Sequence, residues 1–294
     1  MNRLSPPLDH PHDDAHDQGL AHDLLVLQRR RALGWLAGTG GLLLFGCGGG
    51  GGDAATTTSS SSDTGSSSGS TSGTVASGSC SVIPEETAGP YPGDGSNTVN
   101  GSIANALTLS GIVRSDIRSS IAGASGTAGG VPLTLTIELV NTNASCADLA
   151  GYAIYLWHCD REGRYSMYSS GVTNQNYLRG VQETGSDGTV TFTTVFPGCY
   201  SGRMPHMHFE VYRNANTASS YTNKLKTSQI AFPTEVCSTV YNSASGYSAS
   251  IANLAAISFS SDNVFSDGVS TQLASLSGSV AAGYSATLRV GISV

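Results

Sequence analysis

The chain has 294 residues, only 12% of them charged, and a formal net charge of −7. That length allows one or two domains. No basic patch with interleaved aromatics occurs, so nucleic acid is not an expected partner, and no P-loop, glycine-rich dinucleotide fingerprint or internal repeat is present.

Arg29, Arg30 and Arg31 precede an apolar stretch, Leu33 to Phe45, that is too short to span a bilayer as an ordinary helix. Twin arginines before a short apolar run read as a Tat-type export signal. The run closes on Leu42-Leu43-Leu44-Phe45-Gly46-Cys47, which resembles a bacterial lipobox with Cys47 as the lipidated residue, although Phe45 is unusual at its position. The competing reading is an uncleaved signal anchor. From Gly48 to Ser79 nearly every residue is Gly, Ser, Thr, Ala or Asp. Such a run cannot bury enough apolar surface to offset its ordering entropy and is expected to be a tether. The expected organisation is a signal segment over 1–46, a tether over 47–79 and a folded domain over 80–294, long enough for one sizeable core. The protein is then expected outside the cytoplasm, held to a membrane through a lipid on Cys47.

With Cys47 lipidated, Cys80, Cys146, Cys159, Cys199 and Cys237 remain. An exported context permits disulfides, and two bridges with one free thiol fit the count, their pairing left open. None of the five forms a CxxC pair, which argues against a zinc–thiolate site.

Beyond Cys80 the pattern has a period of two. Leu133, Leu135, Ile137 and Leu139 share one face, with Thr134, Thr136 and Glu138 on the other. Val190, Phe192, Thr194 and Phe196 alternate with Thr191, Thr193 and Val195, after a Gly185-Ser186-Asp187-Gly188 turn. Near the C-terminus Ala286, Leu288, Val290 and Ile292 alternate with Thr287, Arg289 and Gly291. These are strand signals. Helical signals are confined to Glu235–Tyr241 and Ser248–Ile257, so the expected class is all-β, a β-sandwich with few short helices.

His10, His12, His16 and His22 precede the arginines and leave with the leader, so only His158, His206 and His208 remain in the expected domain. Residues two apart on a strand point to one face. His206 and His208 therefore project together, with Met207, Phe209 and Val211 packed behind, and two imidazoles on one rigid strand suit a metal. On that motif alone, a solvent-facing pair is an equal alternative. Tyr200 and Arg203 lie on a turn just upstream, and Tyr165 follows a turn after Trp157-His158-Cys159. Tyr168 is a rival to Tyr165. Phenolate is a hard anionic donor with a free pKa of about 10, so a set of two tyrosines and two histidines favours a strongly Lewis-acidic ferric ion. His158 shares its face with Tyr152, Ile154 and Leu156 and is expected to be a satisfied core residue. Glu210 continues the histidine face as a candidate partner of the ligands.

The chain resembles the intradiol ring-cleavage dioxygenases. The likeness rests on Pro84-Glu85-Glu86-Thr87-Ala88-Gly89-Pro90-Tyr91, Gly163-Arg164-Tyr165-Ser166, Leu178-Arg179-Gly180-Val181-Gln182, Phe196-Pro197-Gly198-Cys199-Tyr200, Arg203-Met204-Pro205-His206-Met207-His208-Phe209 and, more weakly, Thr227-Ser228-Gln229-Ile230-Ala231-Phe232-Pro233. The motifs run in family order from about Cys80 to Asp267. The resemblance implies a non-haem Fe(III) held by Tyr165, Tyr200, His206 and His208, with Tyr200 the ligand that leaves on substrate binding. It implies that Arg203 orients substrate and that Thr87, Gly89, Pro90 and Tyr91 line the pocket; Gln229 is a further pocket candidate. A catechol-type diol and dioxygen are the implied substrates, and a muconate-type diacid the product. The spacer from Tyr200 to His206 is shorter than in the catechol and protocatechuate enzymes, which leaves the particular diol open, as the sequence leaves open a homodimer. Two other readings stand beside this one: a lipid-anchored, non-enzymatic β-sandwich binding module, and an intradiol-like fold whose iron serves a different oxidation.

Overall fold

The computed structural model describes residues 80–294. The expected signal segment, the lipidation candidate Cys47 and the tether lie outside the described residues. Among the described residues no helix is long and apolar enough to cross a membrane.

Eleven strands and two short α-helices make up the described residues, with three single-turn 3-10 segments. A hairpin of β1 (Asp94–Val99) and β2 (Ser102–Asn105) comes first. One sheet of five strands contains β3 (Pro132–Asn141), β4 (Ala147–Asp148), β7 (Thr189–Val195), β10 (Ser275–Ser279) and β11 (Gly283–Ile292). A second sheet runs in the order β6 (Arg179–Glu183), β5 (Ala153–Trp157), β8 (His206–Tyr212), β9 (Lys224–Ala231). All of these pairings are antiparallel except β11 on β3. Helices α1 (Thr234–Ser243) and α2 (Ser248–Ala255) fall on the two expected helical signals. The all-β sandwich class expected from the alternation is what the chain forms.

Period-two patterning decides what each sheet buries. Leu133, Leu135, Ile137 and Leu139 of β3, Val190 and Phe192 of β7, and Ala286, Leu288, Val290 and Ile292 of β11 all enter one core. Ile154, Leu156, Met207, Phe209 and Val211 meet them from the second sheet. The other face of that second sheet is also covered. Tyr155, Trp157, Val181 and Tyr212 belong to a separate buried cluster with Tyr165, against which Tyr91 and Tyr200 pack. Every residue of β8 is therefore buried, and its polar side chains face protein rather than water. This double coverage positions the site.

The cysteines depart from expectation. Cys80 is bridged to Cys146, while Cys159, Cys199 and Cys237 are buried free thiols. One bridge and three thiols replace the two bridges and one thiol that the count suggested. A cysteine count carries no distances, and a disulfide needs its two Cα atoms within about 7 Å.

His158 occupies the core face and is satisfied as expected: its Nδ1 pairs with the Cys159 carbonyl at 2.8 Å and its Nε2 with Thr194 Oγ1, on the facing sheet, at 2.7 Å. Burial first, and then the Arg179 charge, push its pKa down to about 4, partly opposed by the Cys159 carbonyl. The folded protein thus refuses a proton that the unfolded chain accepts below about 6.5, so stability is full above that pH and is lost as pH falls toward 4. Between pH 7 and pH 5 the wild type is expected to lose about 2 kcal/mol more than His158→Gln. Urea unfolding of both proteins at the two pH values checks this; parallel losses would contradict it.

Candidate metal centre

The site is built where two loops meet the covered face of β8. The loop after β5 turns at Asp160, whose Oδ1 accepts the backbone N–H groups of Glu162 and Arg164, each at 3.0 Å. Its Oδ2 accepts Arg164 Nε and the Tyr177 hydroxyl, also at 3.0 Å. This carboxylate folds the turn that aims Tyr165 inward, and the Ser169 hydroxyl accepts the Tyr165 N–H at 2.9 Å. The second loop carries Tyr200. Its Gly198 N–H donates to the Asp160 carbonyl, and a Cβ there would stand 2.8 Å from the Asp160 and Arg161 oxygens. Gly163, at φ +81°, faces Tyr200 so closely that a Cβ would lie 3.3 Å from its own Cβ. Both glycines thus allow the two tyrosine loops to interlock. Helix α2 holds the second loop through Ser250 Oγ, which accepts the Cys199 N–H, and through Asn253 Nδ2, which donates to the Cys199 carbonyl.

The four expected ligands converge. His206 Nε2 lies 3.0 Å from His208 Nε2, Tyr200 Oη lies 3.1 Å from His206 Nε2, and Tyr165 Oη lies 3.2 Å from His208 Nε2. Tyr165, His206 and His208 are buried and Tyr200 is half-buried. The rival Tyr168 is engaged elsewhere: its hydroxyl accepts the Gly93 N–H and donates to Asn97 Oδ1, each at 2.7 Å. Among the described residues no group of three or more His, Cys, Asp or Glu side chains is placed to hold a metal. The converged set is two imidazoles and two phenols.

Its electrostatics follow from burial. Desolvation, and then the neighbouring Tyr200, push the Tyr165 phenol well above its usual range. Desolvation, followed by the Arg203 charge at His206 and by His206 at His208, pushes both imidazoles well below theirs. His206 Nδ1–H donates to the Met204 carbonyl at 2.6 Å, so its Nε2 presents a lone pair to the cluster. The four polar atoms form a chain of contacts of 3.0–3.2 Å, with the two imidazole nitrogens in the middle and a phenol oxygen at each end. Without a metal, each phenol O–H can donate to the imidazole nitrogen it faces. A compact cation of high charge would engage all four atoms at once, and the chemistry of hard phenol oxygens fits ferric iron.

The expected pocket residues surround this cluster. Gly89, at φ +67°, lies over His208, where a Cβ would stand 3.3 Å from the ring. Thr87 Oγ1 accepts the Gly89 N–H, and the Pro90 carbonyl accepts Asn97 Nδ2. The Tyr91 ring packs on Tyr165 at a centroid distance of 5.0 Å. Gln229 is buried and bridges inward, its Nε2 donating to the Thr87 carbonyl and its Oε1 accepting Arg203 Nη2. Arg203 is buried, and its charge reaches Tyr165, His206 and His208. Glu210 is on the histidine face as expected but does not bond a histidine. It accepts Lys224 Nζ at 2.8 Å and the Tyr212 hydroxyl at 2.6 Å.

Several residues that shape the site escape the sequence reading. Trp157 stacks on His208 at 5.0 Å and 6°. Arg179 ties the segment after Gly89 in place. Asp262 clamps Arg203. Alternation opposite His158 could have placed Trp157 on the site face. Arg179 lay inside a matched motif without a role, and nothing in the serine-rich stretch around Asp262 marks it.

Residues 115–235 match the family model described as Dioxygenase. The matched span includes Tyr165, Tyr200, Arg203, His206, His208 and Gln229, and stops short of Asp262. The chain is similar to an intradiol ring-cleavage dioxygenase from Tetranychus urticae, at 24% identity and a TM-score of 0.53, covering 73% of this chain and 95% of that one. It is also similar to a solved dioxygenase structure at 25% identity and a TM-score of 0.54, with the same coverages. No curated protein matches. The fold is thus that of the dioxygenase β-sandwich. Within that class, the family match covers residues 115–235, and the fold is similar to that of a solved intradiol ring-cleavage dioxygenase.

Proposed function

We propose that this chain is a non-haem Fe(III) intradiol dioxygenase that cleaves a catechol-type diol with dioxygen to a muconate-type diacid. The observation that carries the reading is the convergence of two phenol oxygens and two imidazole nitrogens, linked by contacts of 3.0–3.2 Å, against a buried sheet face. A binding module has no need of that convergence, and the non-enzymatic alternative predicts scattered side chains.

In this reading Tyr165, Tyr200, His206 and His208 hold the iron. Ferric ion held there would supply the Lewis acidity that ionises the phenols and acidifies a bound diol. The side chains do the rest. His206 and His208 stay neutral and fixed, one through Met204 and the other beneath Gly89 and against Trp157. Half-buried Tyr200, ionised in the loaded site, would accept one proton from the incoming diol at its Oη. Arg203 faces the cluster with a fixed positive charge, which stabilises the negative charge that develops on the ring. The strap from Thr87 to Tyr91 excludes water.

Iron-loaded protein is expected to show a visible tyrosinate-to-iron absorption, which Tyr200→Phe alters, and to take up oxygen with at least one of catechol, hydroxyquinol and protocatechuate. A colourless protein at full iron occupancy contradicts the two-tyrosinate site. A coloured protein that takes up no oxygen with any of these diols supports instead an iron serving a different oxidation.

A further inference from the structure

The loop that follows α2 buries an acid, Asp262, completely. Its carboxylate accepts Arg203 Nε through both oxygens, at 3.2 and 3.1 Å. The same carboxylate accepts the Met204 N–H at 2.6 Å, and the Met204 carbonyl accepts His206 Nδ1–H at 2.6 Å. One anion therefore grips two parts of the site. It orients the guanidinium directly, and it fixes the peptide that sets the tautomer and ring angle of His206. The other guanidinium arm donates to Gln229 Oε1 at 2.7 Å, and the guanidinium carbon lies 5.7 Å from the Phe265 ring centroid.

We propose that Asp262 is the positioning residue of this site, aligning Arg203 directly and His206 through the Met204 peptide. The inference rests on the ring-cleavage reading for what Arg203 does, though not for where Arg203 is held. A plain loop-capping role is the rival, because Asp262 Oδ1 also accepts the Val264 and Phe265 N–H groups at 2.8 and 3.1 Å. Asparagine separates the two. Its amide oxygen can keep the cap, while its NH2 group opposes the Arg203 and Met204 donors and the anion is gone.

The test uses the full chain in two arms. In the metal-free protein the Arg203 Nε–H, identified in 15N NMR by its loss in Arg203→Lys, exchanges slowly with solvent. In Asp262→Asn it is expected to exchange at least about 10-fold faster, since the anion and the Oδ2 bond to Nε are both lost. In the iron-loaded protein Asp262→Asn is expected to lower kcat/KM for the diol by about 100-fold, mainly through kcat, with Asp262→Glu recovering part of the loss. An unchanged Arg203 Nε–H, or an unchanged kcat/KM at a temperature where the variant is folded, overturns the proposal. Should Asp262→Asn not fold, the wild type decides: an Arg203 Nε–H that exchanges as fast as that of the exposed Arg213 overturns it, and a protected one supports it. If iron-loaded wild type consumes no oxygen with any diol, the ring-cleavage reading fails by itself, and the NMR arm alone supports or overturns the clamp.

Discussion

His208→Ala is expected to remove stoichiometric iron from the purified protein and to lower ring cleavage by at least about 10³-fold, while the β-sandwich stays folded. Loss of a residue that merely supports a metal ligand costs 10–100-fold, so loss of a ligand itself should exceed that. His208 is enclosed on several sides. Gly89 lies against its Cε1, Trp157 stacks on its plane, and Tyr165 Oη and His206 Nε2 meet its Nε2 at 3.2 and 3.0 Å. Truncation leaves a void beside Trp157 costing a few kcal/mol, so circular dichroism and a melting curve accompany the metal analysis. Tyr168→Phe is the control and should keep both iron and colour, because the Tyr168 hydroxyl serves Gly93 and Asn97 instead. Full iron occupancy in His208→Ala, or a colourless Tyr168→Phe, would overturn the ligand assignment.

The parts of this site that were legible in the sequence are those set by strand geometry and short spacing. His206 and His208 share a face because they lie two apart on β8, and Met207, Phe209 and Val211 fill the core behind them for the same reason. His158 followed from the same alternation, down to its placement on the face toward the other sheet. Tyr165 and Tyr200 were recoverable only through matched motifs, whose glycines turn out to be the points where the two loops touch. What stayed hidden depends on contacts between segments far apart in the chain. Asp262 meets Arg203 across 59 residues and Arg179 meets Pro92 across 87. Neither pairing leaves a periodic or local trace. The cysteines failed for the same reason, since the partner of Cys80 is chosen by the fold and not by the count.

Arg179→Met is expected to destabilise the fold by about 3–5 kcal/mol. The side chain is 1% exposed and spreads its planar fork over five acceptors. Nε donates to Ser166 Oγ at 3.2 Å, Nη1 to the Pro92 carbonyl at 2.7 Å and Tyr155 Oη at 3.1 Å, and Nη2 to the Tyr91 carbonyl at 2.9 Å and the Ser166 carbonyl at 3.0 Å. Methionine fills much of the volume but leaves buried carbonyl oxygens short of a donor, at about 1–3 kcal/mol each. The consequence also reaches the site. Tyr91 and Pro92 end the strap that covers His208, and Ser166 follows Tyr165, so one guanidinium joins the strap to the ligand loop. Arg179→Lys keeps the charge but not the fork and should lose less, because an ammonium cannot meet acceptors spread across that plane. Urea denaturation orders the three proteins, and hydrogen exchange at Tyr91 and Ser166 locates the loosening. An Arg179→Met protein within 1 kcal/mol of wild type, with the strap still protected, would show that Gly89 and Tyr91 are held by packing alone.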